Sequence, residues 1–195
     1  MSLPKYDKTK AKRSFPVLPK GAYVVKIKSV KQDKWPSGED CLRIAFDIAE
    51  GEYKNFYQNL FDSDTKEDKR WPFDAVYTLT IPGDSSPDYV WDNYNSFFAY
   101  LEESNKDYAF NPDNLKNMHG KVFGGKFRIR QSAAQNGNIY DHTELKWTCL
   151  ADDVRNGRPG RMPNDKFISG SGTTVKTDDE GFMEVSDGLA EELPF

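Results

Sequence analysis

Lys20-Gly21-Ala22-Tyr23-Val24-Val25-Lys26-Ile27-Lys28 decides the fold class of this chain. Side chains of a strand alternate between its faces, so the run puts Tyr23, Val25 and Ile27 on one side and Val24, Lys26 and Lys28 on the other. Trp35-Pro36-Ser37-Gly38 reads as a turn. The next strand has Leu42, Ile44, Phe46 and Ile48 inward and Cys41, Arg43, Ala45 and Asp47 outward, and it ends at Glu50-Gly51.

Outward from these two strands the pattern continues. Residues 53–61 are aromatic-rich and are expected to be extended, and 62–70 form a charged loop. Ala75 to Ile81 reads as a strand with Tyr77, Leu79 and Ile81 on one side, stopped by Pro82-Gly83. The period then changes. Val90, Tyr94, Phe97, Phe98 and Leu101 recur at helical spacing after Asp84-Ser85-Ser86-Pro87, which predicts a helix packed against the sheet, with Trp91 flanking its stripe. Lys126 to Arg130 and Ile139 to Leu150 alternate again, with Leu145, Trp147 and Cys149 sharing a face, and Asn136-Gly137-Asn138 between them is a hairpin signal. The fold class expected is mainly β with one substantial helix.

The 195 residues suffice for one domain with a core and a flexible extension. Aromatics at 14% exclude a wholly disordered chain, while a mean hydropathy of −0.79 demands much polar surface or tail. Cys41 and Cys149 are too few for a disulfide framework and sit in apolar runs. His119 and His142 lack the companion spacing of a zinc site. Residues 1–13 are polar and basic, unlike a signal peptide, and no apolar run approaches the roughly 20 residues that span a bilayer. A soluble, cytoplasmic protein is expected.

The net charge of −4 conceals an asymmetry. Residues 178–195 carry seven acids and no Lys or Arg, which leaves 27 basic against 24 acidic residues over 1–177. A mildly basic body with an acidic tail suggests a nucleic-acid partner or an interaction tail. Beyond Leu150 the chain turns to Arg155, Arg158 and Arg161 among Gly and Pro, then to Ser, Gly and Thr over 168–177. The divisions expected are an arm over 1–20, a β-rich domain over 21–162, and a flexible linker with acidic tail over 163–195.

Three strand segments carry cations opposite their apolar faces: Lys26 and Lys28; Arg43; and Lys126, Arg128 and Arg130. Residues i, i+2 and i+4 span roughly 13 Å, about two nucleotide steps, so such a row can track phosphates, and the released counterions make binding salt-dependent. Solvated outer faces of a sheet would look the same. Single-strand binding also needs π surfaces. Trp35 and Trp71 stand at turns beside Lys34 and Lys69-Arg70; Tyr53, Tyr57 and Tyr140 follow, Tyr140 sharing strand parity with Lys146. Plain packing is the competing reading of each. Arg155, Arg158 and Arg161 can add phosphate contacts.

Enzymatic patterns are weak. Gly124-Gly125-Lys126-Phe127 lacks the first Gly and the Ser/Thr of a phosphate loop, and its Lys falls in a strand. Asp62-Ser63-Asp64 begins like a calcium loop, but Glu67 and Phe73 stand where Gly and Glu are required. Asp62, Asp64, Glu67 and Asp68 are interleaved with Lys66, Lys69 and Arg70, as in a solvated loop. No catalytic residue, metal or cofactor is expected.

The last residues, Glu191-Glu192-Leu193-Pro194-Phe195, place an apolar end on an acidic tether. The Phe195 ring suits a pocket, its α-carboxylate an Arg or Lys, and the acids a basic rim. With the layout of the chain, this end resembles that of bacterial and phage single-stranded DNA-binding proteins. The resemblance implies an OB-fold-like small barrel, a polar linker and a disordered acidic C-terminal tail that docks partner proteins. The body looks less like the common tetrameric bacterial type than like a divergent phage-encoded one, with a long insertion carrying the 84–105 helix; Gly188, Leu189 and Ala190 interrupt the acidic run, and the linker is short. Implied are non-catalytic binding of single-stranded DNA and recruitment of replication, recombination and repair proteins in the cytoplasm of a bacterial host, with a homodimer left open. The alternatives are a protein-interaction adaptor or phage structural module without DNA binding, and a metal-dependent nuclease using the 62–68 acids.

Overall fold

The computed structural model describes residues 16–134 and 137–168. Five strands, β1 (Gly21–Lys34), β2 (Asp40–Ile48), β3 (Val76–Thr80), β4 (Val122–Ala133) and β5 (Ile139–Cys149), form one antiparallel sheet in the order β3-β2-β1-β4-β5. Three helices accompany it: α1 (Phe56–Ser63), α2 (Asp88–Glu103) between β3 and β4, and α3 (Ala151–Arg155).

The sheet is open. β3 and β5 are its edges and do not pair with each other, so the expected small closed barrel is corrected to an open sheet with helices. β3 is only five residues long against eleven in β5, and side chains from both edges occupy the space between them instead of a ladder. β1 serves both halves. Its first half pairs with β4, from Gly21↔Phe127 to Lys26↔Val122, and it pairs with β2 from Val25↔Ile48 to Lys34↔Asp40. A register shift between Ile27 and Ser29 leaves Lys28 as an extra residue, the kind of bulge that bends a strand.

The core follows the alternation. Val25, Ile27, Leu42, Ile44, Phe46, Ile48, Phe123, Phe127 and Leu145 meet Phe97, Phe98 and Leu101 of α2, so the helical stripe read in the sequence is the face that packs. Phe97 lies edge-on to Phe123 at 5.3 Å and Phe46 to Phe127 at 5.8 Å, geometries that suit aromatic quadrupoles. Gly124 and Gly125 are packing devices within β4. A Cβ on Gly124 would stand 2.6 Å from Cys149 Sγ and from the Leu150 carbonyl oxygen, and one on Gly125 would stand 2.8 Å from Leu145 Cδ1.

Two expectations fail here for one reason. Residues 56–63 are helical rather than extended, and Asp47, expected outward, is 1% exposed. The Asp47 carboxylate accepts the backbone N–H groups of Ile48 (2.8 Å), Tyr57 (3.0 Å) and Gln58 (3.2 Å). It thus caps α1 from a neighbouring strand, satisfying donors that the helix leaves open. Cys41 is buried on the same nominally outer face, and α3 packs over β1 and β4, where Val24 is also buried.

The packed body runs past the expected limits at both ends. Leu18 is in the core and its carbonyl accepts the Thr143 hydroxyl. After α3 the chain returns to β4: Gln131 N donates to the Lys166 carbonyl and Lys166 N to the Ile129 carbonyl, both at 2.9 Å. Asp165 accepts Ile129 N at 2.9 Å and Lys20 Nζ at 2.6 Å. Among the described residues no helix is long and apolar enough to cross a membrane.

Candidate functional site

Between the edges β3 and β5, beneath the first turns of α2, lies a groove of about 720 Å³. Its lining comes from Val76 to Thr80 of β3, from the alternate positions Arg128, Arg130 and Ser132 of β4, and from His142 and Glu144 to Lys146 of β5. Trp35 and Arg43 join from the β1–β2 side, Phe73 and Asp74 from the turn before β3, and Tyr89, Val90 and Asn93 from α2. A smaller cavity of about 230 Å³ shares Tyr77, Asn93 and Lys146 with it and adds Lys126 and Trp147.

The groove is cationic. Arg43, Arg128, Arg130 and Lys146 face Asp74 and Glu144, a formal charge of +2 with His142 neutral. Glu144 serves two guanidiniums, Arg128 Nε at 2.8 Å and Arg130 Nη1 at 3.7 Å, and Arg128 also donates to the Asn164 carbonyl at 3.4 Å. Arg43 Nε donates to Asp33 at 2.7 Å. The Asp33 carboxyl is held below its ordinary value by the Lys34 backbone N–H first, then by Lys31 and Arg43. Lys146 forms no ion pair among the described residues. Burial pushes the Tyr77 phenol up to about 12, so it is a neutral group at pH 7.

A side-chain link spans the gap between the edges. The His142 ring lies 2.7 Å from Ser132 Oγ through Nε2 and 3.3 Å from Asp74 Oδ2 through Nδ1, joining β4 and β5 to the turn that leads into β3. At β3's other end Trp35 Nε1 donates to Thr80 Oγ1 at 3.0 Å, which fixes the indole at the groove.

The residues singled out in the sequence divide into several places. Trp35, Arg43, Arg128, Arg130 and Lys146 meet in the groove, and Lys126 lines the adjoining cavity, its Nζ donating to the Pro159 carbonyl (3.2 Å) and lying 5.5 Å from the Trp147 ring centre. Lys28 and Trp71 form a separate cluster: Lys28 Nζ is 5.9 Å from the Trp71 ring, which tilts against Phe61 at 5.8 Å and donates to the Ala75 carbonyl at 3.2 Å. Lys26 is half-buried and lines neither cavity. Tyr53 packs edge-on against Tyr23 and Phe56. Tyr57 is 2% exposed and sits against Phe46 in the core, so its ring is not offered to a ligand; burial raises its phenol strongly. Tyr140 is exposed near the start of β5. Arg155, Arg158 and Arg161 are all exposed, and Arg155 pairs with Glu50 at 2.7 Å and Asp152 at 2.7 Å. Glu191, Glu192, Leu193, Pro194 and Phe195 lie outside the described residues.

Two of the acids of residues 62–70 are engaged locally: Asp62, in the last turn of α1, accepts Gln58 Nε2 at 3.0 Å and Asp64 accepts Lys66 N at 3.1 Å. Among the described residues no three His, Cys, Asp or Glu side chains are grouped to hold a metal ion. Burial pushes both thiols up, opposite to the shift that activates a nucleophilic cysteine.

Sequence reasoning missed Phe73, Tyr89 and His142. Trp35 and Trp71 were selected as aromatics outside an apolar stripe, and the same rule reaches Phe73, between Pro72 and Asp74, and Tyr89, off the Val90–Leu101 stripe. Nothing local announces His142, whose partner Asp74 is 68 residues away.

A family model described as "Protein of unknown function (DUF669)" matches residues 4–85. The matched stretch includes β1, β2, α1 and β3 and stops short of α2, so of the groove it takes in Trp35, Arg43 and the β3 side but not β4 or β5. No curated protein matches the chain.

Proposed function

We propose that this protein binds single-stranded DNA in the groove between β3 and β5, without catalysis, in DNA replication, recombination or repair of a phage or its host. The observation that carries the reading is the meeting of Arg43, Arg128, Arg130 and Lys146 with Trp35, Phe73 and Tyr89 in one groove. Phosphates need cations and unpaired bases need π faces, and a duplex hides its base faces. The strand arrangement supports an OB-like reading: β3 and β5 run the same way, face each other across the groove, and would close a five-stranded Greek-key barrel if paired.

Oligo(dT) titration at two salt concentrations tests the proposal through tryptophan fluorescence. Quenching with affinity that falls as salt rises is expected, because Trp35 lines the groove. No quenching, or affinity indifferent to salt, overturns it. Recruitment of partner proteins through Glu191–Phe195 belongs to the same proposal. Deleting residues 178–195 removes seven carboxylates that compete for a groove of charge +2, so affinity at low salt should rise; unchanged affinity removes the competition.

The adaptor reading draws support from the exposed Ile139, Tyr140, Phe167 and Ile168. A gel shift with single- and double-stranded DNA separates the two, since a pure adaptor shifts neither.

A further inference from the structure

The two walls of the groove differ in chemistry. The wall made by β4 and β5 carries three of its four cations, Arg128, Arg130 and Lys146, and its one ring in the lining is the His142 imidazole, held by Ser132 and Asp74. The opposite wall, made by β2, β3 with the turn that leads into it, α2 and the β1–β2 turn, carries Trp35, Phe73, Tyr77 and Tyr89, its 73–75 turn also meeting β5 through Asp74 and His142; its one cation, Arg43, is already paired with Asp33 at 2.7 Å. Arg128 is buried and braced by Glu144, so the more exposed cations of the first wall are Arg130, which also faces Glu144 at 3.7 Å, and Lys146.

Phe73 is the most informative residue of the second wall. It is 76% exposed, although its neighbour Ala75 is fully buried and the turn Phe73–Ala75 is fixed against the core. A rigid turn therefore holds a large apolar ring in water at the mouth of a cationic groove. Tyr89, 40% exposed, lines the same groove from the first turn of α2. The five residues of β3 extend about 17 Å along the groove, room for two to three steps of an extended single strand.

We propose that a bound strand lies with its bases against the β3–α2 wall, stacking on Phe73 and Tyr89, and with its phosphates along the β4–β5 wall at Arg130 and Lys146. This rests on the reading of the groove as a single-strand site and assigns the two halves of the ligand to its two walls. The ligand class is then an unpaired polynucleotide whose bases all turn to one side. A duplex cannot present that face.

The full-length protein, wild type and the variants Phe73→Ala, Lys146→Gln and Arg130→Gln, is titrated with oligo(dT) and with an abasic oligonucleotide of equal length over a range of salt. Circular dichroism and thermal melting establish that each variant is folded. Phe73→Ala should weaken oligo(dT) binding about 5- to 150-fold at every salt concentration, leave the salt slope unchanged, and have no effect on the abasic strand. Each cation variant should reduce the slope of log K against log salt by about 0.7 for both ligands, its effect fading at high salt. The inference is overturned if Phe73→Ala changes the slope, if it weakens the abasic strand equally, or if oligo(dT) affinity is indifferent to it. Those outcomes leave single-strand binding standing. If the wild type binds neither ligand at any salt, the reading of the groove itself falls, and the assignment of its walls with it.

Discussion

Two sets of aromatic rings flank β3, and they are used in opposite ways. On one side Phe97 is 0% exposed, edge-on to Phe98 at 5.1 Å and to Phe123 at 5.3 Å. On the other, Phe73 is 76% exposed. The first set has already withdrawn its apolar area from water and so stabilises the fold. The second still has that area to withdraw, so its stabilisation is available to a ligand. Stability and binding therefore sit on separable rings a few residues apart, and substitutions can set the two against each other.

The largest effect is expected in the core. Phe97→Ala should cost about 3–5 kcal/mol of stability in a denaturant titration, through lost transfer energy and a cavity beneath α2. If it costs as little as a surface change, the division between the two sets is wrong. Next comes the cap of α1. Asp47→Ala leaves three backbone N–H groups without their acceptor and should cost about 1–3 kcal/mol. Amide exchange at Tyr57 and Gln58 should accelerate before that of β4, and uniform acceleration would deny Asp47 its local role.

Phe73→Ala sharpens the comparison from the other side. Its unfolding free energy should stay within about 0.5 kcal/mol of wild type, while single-strand affinity drops by about 1–3 kcal/mol. A destabilised Phe73→Ala protein would move this ring into the folding set. The smallest effect concerns acid. The Arg155 side-chain hydrogen bond lowers the Glu50 carboxyl below its ordinary value, so the contact stabilises the fold above the ordinary carboxylate range and is lost as pH falls through the lowered value. Glu50→Gln should flatten the acid limb of a stability–pH curve slightly and leave neutral-pH binding unchanged; an unaltered acid limb would show that the pair adds nothing at this exposed site.

The contrast between α1 and α2 explains what was legible in the sequence. α2 announces itself because Phe97, Phe98 and Leu101 obey the helical period over a long stretch. α1 has eight residues and no cap from its own side chains, since its acceptor is Asp47, ten positions before Tyr57 and on a strand. Such a helix exists only once tertiary structure brings the cap, and no local window contains that fact. The site divides in the same way. Alternation puts Arg43, Arg128, Arg130 and Lys146 on the faces opposite the apolar ones, and all four line the groove, with Arg128 buried there rather than exposed. It could not say that β3 and β5 face each other, because that depends on how β1 is shared between β2 and β4. Lys28 and Trp71 likewise met each other away from the groove, through the bulge in β1 and the fold of the 56–75 segment.

The contact between Lys20 and Asp165 has a topological consequence. The strand that enters the body and the segment that returns to β4 meet at one salt bridge of 2.6 Å, beside the Leu18–Thr143 bond. The packed chain is thus nearly a ring. A short linker from residue 168 back to residue 16, with a new opening in the exposed loop at Gly83-Asp84, would keep Leu18, Lys166 and every strand pairing of the sheet. The order in which the ribosome delivers β1 to β5 is then one choice among several equivalent cuts of the same closed path.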